Sequence, residues 1–383
     1  MLKRKLKIAF ICTGSSGLSF YRAFQPAMAI KKMGLAEVSV LFYRHEDTTG
    51  QPWEAEFLNR PAIPELIDNH FRWADVVVCM KLCMPHSLEH IANCARHYGK
   101  TLITEVDDAI FSTSYYNAAN NYHKPGDFLT QVFVQQLQMS DGVIVSTPYL
   151  KDYYERYHKS VRVVENAIDL SLWRSIAPQR TPEVNLGWVG GASHTEDLRL
   201  IKDSLFTVLE RDNVGFKCLH GTPDFFKDHK KIKWNSVFKP IDKYPKWVSG
   251  FKFNIGLAPL LDNTFNRSKS NLRWLEMSAM GIPTVASPLT HFKETIKNGE
   301  TGFLAETPEE WITCLLRLID EPELRENVGK NARNEVKEHW NPKLLGMKML
   351  TAIKEIRDAV INPVRLGDID RAISRRPGER ALV

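Results

Sequence analysis

The chain has 383 residues, of which 43% are apolar and 25% are charged, a composition typical of globular proteins. This length predicts two domains, the composition excludes extended disorder for most of the chain, and no apolar run reaches the roughly 18 residues that a membrane-spanning helix needs. The net charge of +6 at pH 7 is compatible with a phosphate-bearing ligand or an acidic partner without requiring either.

Short apolar runs alternate with longer amphipathic segments along the chain, which predicts a parallel α/β architecture. The first run, residues 7–12, follows a basic N-terminal segment. Because Lys7 interrupts the apolar stretch and no signal-peptide cleavage site follows, we interpret this run as a buried strand and expect a cytoplasmic protein. The next predicted elements are a helix over residues 21–32 and strands over residues 38–42, 76–79, 101–106 and 142–146.

A second series of elements begins after a segment that contains Pro178 and Pro182. Strands are predicted over residues 184–189, 216–220, 253–258, 284–287 and 302–304. A helix over residues 195–209 is expected to begin with a Ser or Thr cap and has acidic residues in its first turn. Three final helices, over residues 308–320, 322–339 and 342–361, each have proline near the start.

These elements predict a domain organisation in two similar halves. The predicted units are a Rossmann-like domain over residues 1–170, a linker over 171–183, a second Rossmann-like domain over 184–341, a last helix over 342–361 and a basic, mobile tail over 362–383. Two such domains that face each other form a cleft where strand carboxyl ends and helix N-termini converge. The six cysteines are scattered through apolar stretches and are expected to be reduced.

The most informative stretch for function spans residues 254–287. A polar loop that carries Arg267, Lys269 and Ser270 is predicted to lead into a helix, on which Lys269, Arg273 and Glu276 share one face. Cations and backbone amides at a helix N-terminus suit a diphosphate, and a carboxylate one or two turns later suits a ribose diol. The alternative is a solvated helix face with an ion pair between Arg273 and Glu276.

Glycines and a histidine follow the first strand of the second half. Gly190 and Gly191 lack side chains, so a phosphate can approach the backbone there, although a tight strand–helix turn needs the same residues. His194 follows closely and either donates to a diphosphate or acts as a local cap.

The first half has its own candidate residues. Asp107 and Asp108 follow a strand and either orient an acceptor hydroxyl and stabilise positive charge, or make capping and loop hydrogen bonds. Arg22, close to Gly17, either contacts a phosphate or an acceptor or lies on a helix surface.

The stretch over residues 254–287 closely resembles the donor-binding motif of the family 4 glycosyltransferases, which are retaining enzymes of the GT-B fold. The resemblance implies two facing Rossmann-like domains with a last helix that crosses back to the first. It implies that Glu276 binds the ribose of a sugar nucleotide and that Lys269 and Arg273 bind its diphosphate. The family often has two glutamates separated by seven residues. Ser268 stands at the first of these positions, which is typical of a subgroup with Asn-Arg-x-Lys-Ser in this loop.

Other segments are similar to the same family. The sequence from Gly17 to Arg22 resembles the first loop and helix of the family. The resemblance implies that Gly17, Tyr21 and Arg22 contact the acceptor. Asp107 and Asp108 resemble its acidic strand end, and with Lys269 they form the expected catalytic set. Residues 140–148 and 165–169 resemble the last part of its first domain.

The resemblance implies a hexosyl- or pentosyltransferase that moves a sugar, with retention, from a nucleotide donor to a hydroxyl. A UDP-sugar is favoured over a GDP-sugar, and no metal or other cofactor is expected. The acceptor is a surface-glycan intermediate or a hydroxymethylated DNA base. The alternatives are a nucleotide-sugar epimerase or hydrolase on the same scaffold, and a transfer-inactive protein that binds sugar nucleotides or nucleic acid.

Overall fold

The computed structural model describes residues 4–12, 17–42, 63–81, 85–112, 128–173, 183–237, 239 and 241–362. The predicted basic tail and linker lie largely outside these residues, as does Cys83, one of the six cysteines.

The first half forms a six-stranded, all-parallel sheet. Its strands are β1 (Lys7–Cys12), β2 (Glu37–Phe42), β3 (Val76–Met80), β4 (Thr101–Val106), β5 (Gly142–Val145) and β6 (Val161–Val163). They lie in the order β2-β1-β3-β4-β5-β6, with Ile8 opposite both Val38 and Val76. The central strands are buried along almost their whole length, because helices cover both faces of the sheet.

The second half repeats this arrangement. Its strands are β7 (Val184–Gly190), β8 (Val214–His220), β9 (Ile232–Asn235), β10 (Ile255–Ala258), β11 (Thr284–Ala286) and β12 (Phe303–Leu304). The order is β12-β11-β10-β7-β8-β9, and every pair is parallel. In both sheets the chain order of the strands reverses at the first strand: β1 lies between β2 and β3, and β7 lies between β8 and β10. In open parallel sheets, ligands bind at the carboxyl ends of the strands where this reversal occurs.

Helices connect the strands. Those of the first half are α1 (Gly17–Ser19), a π-helical turn (Phe20–Phe24), α2 (Gln25–Lys32), α3 (Ile63–Trp73), α4 (Pro85–Tyr98), α5 (Phe128–Met139) and α6 (Pro148–Tyr154). Those of the second half are α7 (Thr195–Leu200), α8 (Lys202–Leu209), α9 (Asp224–Lys227), α10 (Tyr244–Ser249), α11 (Thr264–Arg267), α12 (Leu272–Ala279), α13 (Thr290–Thr295), α14 (Pro308–Asp320), α15 (Pro322–His339) and α16 (Pro342–Ile361). Short 3-10 turns occur at Ile110–Ser112 and Ala192–His194.

Two strands, β6 and β9, were not predicted from the sequence. Both lie at the edge of a sheet and have few residues, and Lys233 and Trp234 of β9 are exposed. An edge strand that is covered on one side only has no continuous apolar run, so its pattern is weak. Arg162 and Lys233 interrupt these two short strands, whereas the other edge strands, β2 and β12, were predicted.

The predicted helix over residues 195–209 is two helices. Ile201 separates them with φ −103° and ψ 5°, outside helical geometry. Leu198, Ile201 and Leu205 are all buried, so the apolar spacing continues through the interruption and does not reveal it. The expected Ser or Thr cap is also wrong, because His194 occupies the N-cap position and makes no side-chain capping bond.

The last three helices begin and end as predicted, each with proline in its first turn. Helix α15 packs on the second half, where Ala332 and Val336 join the core around Trp274. Helix α16 returns to the first half and packs on α2, with Met349 and Ile353 buried against β1 and its neighbours. The chain therefore crosses between the halves at Trp340, whose carbonyl accepts a hydrogen bond from the Ile168 amide at 2.8 Å.

Within the described part of the chain, none of the helices combines the length and apolar composition needed to cross a bilayer. The five cysteines in this part are unpaired: Cys12, Cys79, Cys94, Cys218 and Cys314.

The close contact between α16 and α2 depends on Gly346. A Cβ added at this position lies 2.9 Å from the Ala29 Cβ and 3.2 Å from the Ile30 amide nitrogen. We expect Gly346→Leu to destabilise the protein by about 1–3 kcal/mol, because overpacking outweighs the gain in helix propensity. A lower urea-unfolding midpoint measures this change. The adjacent, exposed Met347→Leu is the matched control and should leave the midpoint unchanged. Equal midpoints for both variants contradict the close packing.

Candidate active site

A cavity of about 760 Å³ lies between the two sheets, at the carboxyl ends of β1, β4, β7 and β10. From the first half, the predicted residues that line it are Gly17, Tyr21, Arg22, Asp107 and Asp108. From the second half they are Gly190, Gly191, His194, Lys269, Ser270, Arg273 and Glu276. Twelve of the thirteen residues singled out from the sequence thus meet at one cavity. The exception is Arg267, which lies outside the lining, is half exposed and forms an ion pair with Asp262.

The loop between α11 and α12 places two of these residues. Lys269 and Ser270 precede the first residue of α12, so the predicted helical face that includes Lys269 is wrong. The loop is held instead by Ser268, which is fully buried. The Ser268 hydroxyl donates to the Phe265 carbonyl at 2.6 Å and accepts from the Ala109 amide of the first half at 3.1 Å. Contact between the halves, and not helical periodicity, positions Lys269.

An ion pair between Lys269 and Asp108 joins the two halves across the cavity, with 2.6 Å between Nζ and Oδ1. Burial acts to raise the pKa of Asp108, but Lys269 outweighs it and the pKa is lowered. Asp107 has the opposite behaviour, because burial and the adjacent charges of Asp108 and Glu105 raise its pKa to about 7. The pair therefore combines an ionised carboxylate with a group that exchanges a proton near neutral pH.

Glu276 lies at the other side of the cavity and accepts two tyrosine hydrogen bonds. Tyr21 of the first half donates to Oε1 at 3.0 Å, and Tyr244 of α10 donates to Oε2 at 3.1 Å. Burial raises the pKa of Glu276 to about 7, although the two hydroxyls and Arg273 act in the opposite direction. Tyr244 was not predicted from the sequence, because α10 is a short helix outside any recognisable motif.

Arg273 lies against the end of β7. Its Nε donates to the Val189 carbonyl at 3.2 Å, and its guanidinium lies 5.2 Å from the centre of the Trp188 ring. A Cβ at Gly190 would lie 2.8 Å from the Arg273 guanidinium and 2.6 Å from Trp188, so glycine is needed for this packing. In the part of the chain that is described, Arg273 makes no ion pair with Glu276, which removes the alternative of a solvated surface pair.

Arg22 is not a surface residue, and most of its guanidinium is bonded to other residues of the first half. Its side chain is 1% exposed and forms an ion pair with Glu105 at 2.6 Å. It also donates to the Val164 carbonyl and, at 3.0 Å, to the Asn166 side chain. Asn166 in turn donates to the Ser270 hydroxyl at 2.7 Å. Arg22 thus supports the loop between α11 and α12 from the core of the first half. Asn166 lies within the 165–169 segment that resembles the family, and this resemblance was the only indication of Asn166 in the sequence.

His194 contacts Asp197, a residue noted in the sequence only for its charge in the first helical turn. The distance between Nδ1 and the Asp197 Oδ2 is 2.7 Å. Burial, followed by the charge of Arg273, lowers the pKa of His194 to about 4. The ring is therefore neutral at pH 7. Among the residues that the structure describes, no group of three or more His, Cys, Asp or Glu side chains is arranged to hold a metal ion.

Comparisons with known proteins agree with this architecture. The sequence model of a family described as "Glycosyl transferase-like" matches residues 205–349. The search of curated proteins finds no match. Sucrose-phosphate synthase of Thermosynechococcus elongatus superimposes with a TM-score of 0.64 at 15% identity, covering 93% of this chain and 100% of the other.

Two further solved structures are similar over a comparable length. HepE of Anabaena in complex with UDP-glucose has a TM-score of 0.63 at 12% identity, with 91% and 100% of the two chains covered. A glycosyltransferase of Rickettsia africae ESF-5 has a TM-score of 0.62 at 15% identity, with 94% and 100% covered. The fold is GT-B. The predicted fold class is confirmed, including the last helix that returns to the first half.

The raised pKa of Glu276 predicts a pH-dependent stability. In the folded protein Glu276 keeps its proton up to about pH 7, whereas in the unfolded chain it releases the proton near the ordinary pKa of 4.5. The resulting contribution to the free energy of unfolding is complete below pH 4.5 and is lost as pH rises to about 7. We expect Glu276→Gln to match the wild type at pH 4 and to exceed its free energy of unfolding by about 1–3 kcal/mol at pH 8. Urea unfolding at both pH values measures the difference.

The exposed Glu300→Gln is the control and should show the same stability as the wild type at both pH values. A Glu276→Gln variant whose stability follows the wild type in parallel from pH 4 to pH 8 contradicts the raised pKa.

Proposed function

We propose that this protein is a retaining glycosyltransferase that moves a sugar from a UDP-sugar to an acceptor hydroxyl. The observation that carries the proposal is the meeting of Lys269, Arg273 and Glu276 with Gly190 and Gly191 at one cavity between two Rossmann-like halves. The chemistry of these groups fits a diphosphate and a ribose. The likeness to HepE, which is described in complex with UDP-glucose, supports the choice of uridine over guanosine.

In this proposal the second half binds the donor. Lys269 and Arg273 neutralise the diphosphate, and the side-chain-free backbone at Gly190 and Gly191 lets it approach the end of β7. Ser270 donates to a phosphate oxygen, and Glu276 accepts hydrogen bonds from the ribose diol. Binding the diphosphate draws Lys269 away from Asp108, whose carboxylate then faces the sugar.

The transfer step breaks the bond between the anomeric carbon and the β-phosphate oxygen. The acceptor oxygen forms its bond to the same face of that carbon, and its proton passes to the departing phosphate, so that UDP leaves. Lys269 and Arg273 stabilise the negative charge of the leaving group. Asp108 and Asp107 stabilise the positive charge on the sugar and orient the acceptor hydroxyl, which enters beside Gly17 and Tyr21.

Donor binding is tested with UDP and charge-removing variants. UDP at 100 times its dissociation constant should add about 2.7 kcal/mol to the free energy of unfolding. Lys269→Gln and Arg273→Gln should each weaken UDP binding by about tenfold or more, because each removes a charge-assisted contact worth roughly 1.5–3 kcal/mol. Isothermal titration calorimetry measures the dissociation constants.

Arg267→Gln is the matched control, since Arg267 is a cation two residues before Lys269 but is paired with Asp262 outside the cavity. We expect its UDP affinity to stay within about twofold of the wild type. If all three variants lose affinity equally, general electrostatic attraction and not this site explains the binding. If UDP does not bind to the wild type, the donor assignment is wrong.

Transfer is tested at the acidic pair. Asp107→Asn and Asp108→Asn should each reduce the transfer rate by about 10²–10⁴ without weakening UDP binding, because positioned carboxylates act on the transition state. The exposed Asp152→Asn on α6 is the control and should retain the wild-type rate. Full activity in both variants would show that the pair is structural.

The same assay distinguishes the acceptor classes and the alternative activities. We propose a surface-glycan intermediate as acceptor, for which the rate should depend little on salt, whereas a DNA acceptor gives a steep dependence through counterion release. Donor turnover without any acceptor would instead indicate an epimerase or hydrolase.

A further inference from the structure

Asp197 holds His194 through a set of hydrogen bonds in which the carboxylate accepts every time. Oδ2 lies 2.7 Å from the His194 Nδ1. Oδ1 accepts from the Leu261 amide at 2.8 Å and from the Asn266 side chain at 2.6 Å. Asp197 is 3% exposed. A buried carboxylate with this many partners is fixed in place.

This arrangement selects one tautomer of the histidine. Because Asp197 accepts at Oδ2, the proton of the neutral ring lies on Nδ1, and Nε2 carries a lone pair. His194 lines the cavity, and within the described ranges of the chain its Nε2 has no hydrogen-bond partner. The lone pair is thus available to a ligand.

The charges around His194 favour the neutral ring. Arg273 on α12 and Lys269 in the preceding loop both oppose a proton on the ring, as does burial, and together they outweigh the attraction of Asp197. Asp108 of the first half also interacts with the ring. Trp188 contacts the ring edge-on, at 6.1 Å between centroids.

A neutral ring with a lone pair cannot donate to a phosphate through Nε2, and the lone pair repels phosphate oxygens. The two permanent cations already match the charge of a diphosphate. A sugar hydroxyl, by contrast, donates a hydrogen bond readily to such a nitrogen. The expectation from the sequence, that His194 donates to the diphosphate, does not fit this geometry.

We propose that His194 accepts a hydrogen bond from a hydroxyl of the donor sugar through Nε2, and that Asp197 is the positioning residue that fixes the tautomer for it. This inference rests on the proposed glycosyltransferase function. It places a contact to the donor sugar at His194, in the second half of the chain, and gives Asp197, which does not touch the substrate, the role of orienting that contact.

The test uses Asp197→Asn in the full chain. The substitution is isosteric, so the remaining side-chain oxygen keeps the hydrogen bonds from Leu261 and Asn266, while the new amide group donates to the His194 Nδ1. The ring must then carry its proton on Nε2 and becomes a donor towards the cavity. Glu196→Gln, at the neighbouring acidic residue, which is paired with Arg199, is the matched control.

The first readout is the tautomer, from ¹⁵N NMR of the histidine rings at pH 7 with His194→Gln for assignment. The wild type and Glu196→Gln should show the Nδ1-protonated neutral ring, with and without UDP, and Asp197→Asn the Nε2-protonated ring. An imidazolium in the UDP complex, or an unchanged tautomer in Asp197→Asn, overturns the proposal.

The second readout is calorimetric binding of UDP compared with the tightest of UDP-glucose, UDP-galactose and UDP-N-acetylglucosamine. Asp197→Asn should leave the UDP dissociation constant within about twofold and weaken binding of the UDP-sugar by about tenfold, because the hydrogen bond that Nε2 accepts from the sugar hydroxyl is lost. Glu196→Gln should change neither.

Two results distinguish a failure of the sugar contact from a failure of the donor site. If UDP binds normally and Asp197→Asn binds the UDP-sugar as the wild type does, the sugar contact is overturned while the donor site stands. If the wild type binds no UDP, the proposed function fails and this inference fails with it.

Discussion

The docking of one loop onto the opposite half of the chain is the contact on which the site depends. Three consecutive residues, 268–270, each bond to the first half. These contacts are Ala109 N to Ser268 Oγ, Lys269 Nζ to Asp108 Oδ1, and Asn166 Nδ2 to Ser270 Oγ. The loop that holds the halves together thus also brings a cation and a hydroxyl to the cavity, so the closed arrangement and the charge pattern have the same origin.

The carboxylates around the cavity divide into those with a cation and those without. Glu105 is paired with Arg22, and Asp108 with Lys269. Within the described chain, Asp107 and Glu276 form no ion pair, and burial raises the pKa of each to about 7. Uncompensated buried acids lower stability at neutral pH, and such groups are typical of sites that bind ligands or exchange protons.

The strands and the last helices were predictable because burial on both faces leaves a local record in the sequence. Runs such as β3, and β1 from Ile8 onward, are continuously apolar, and Pro308, Pro322 and Pro342 mark helix starts. Edge strands β6 and β9 were not predicted, since Arg162 and Lys233 interrupt their short apolar runs. The interruption at Ile201 was hidden because apolar spacing continues through it.

By itself, the sequence determined the two-fold α/β architecture and the set of residues that meet at the cavity, because strand carboxyl ends converge wherever two parallel sheets face each other. Only the tertiary structure decided what those residues do there. It paired Arg22 with the buried Glu105, placed Arg267 outside the site and added Tyr244 and Asp197. These outcomes depend on contacts between residues far apart in the chain, or on which way a side chain faces, and neither leaves a periodic trace in the sequence.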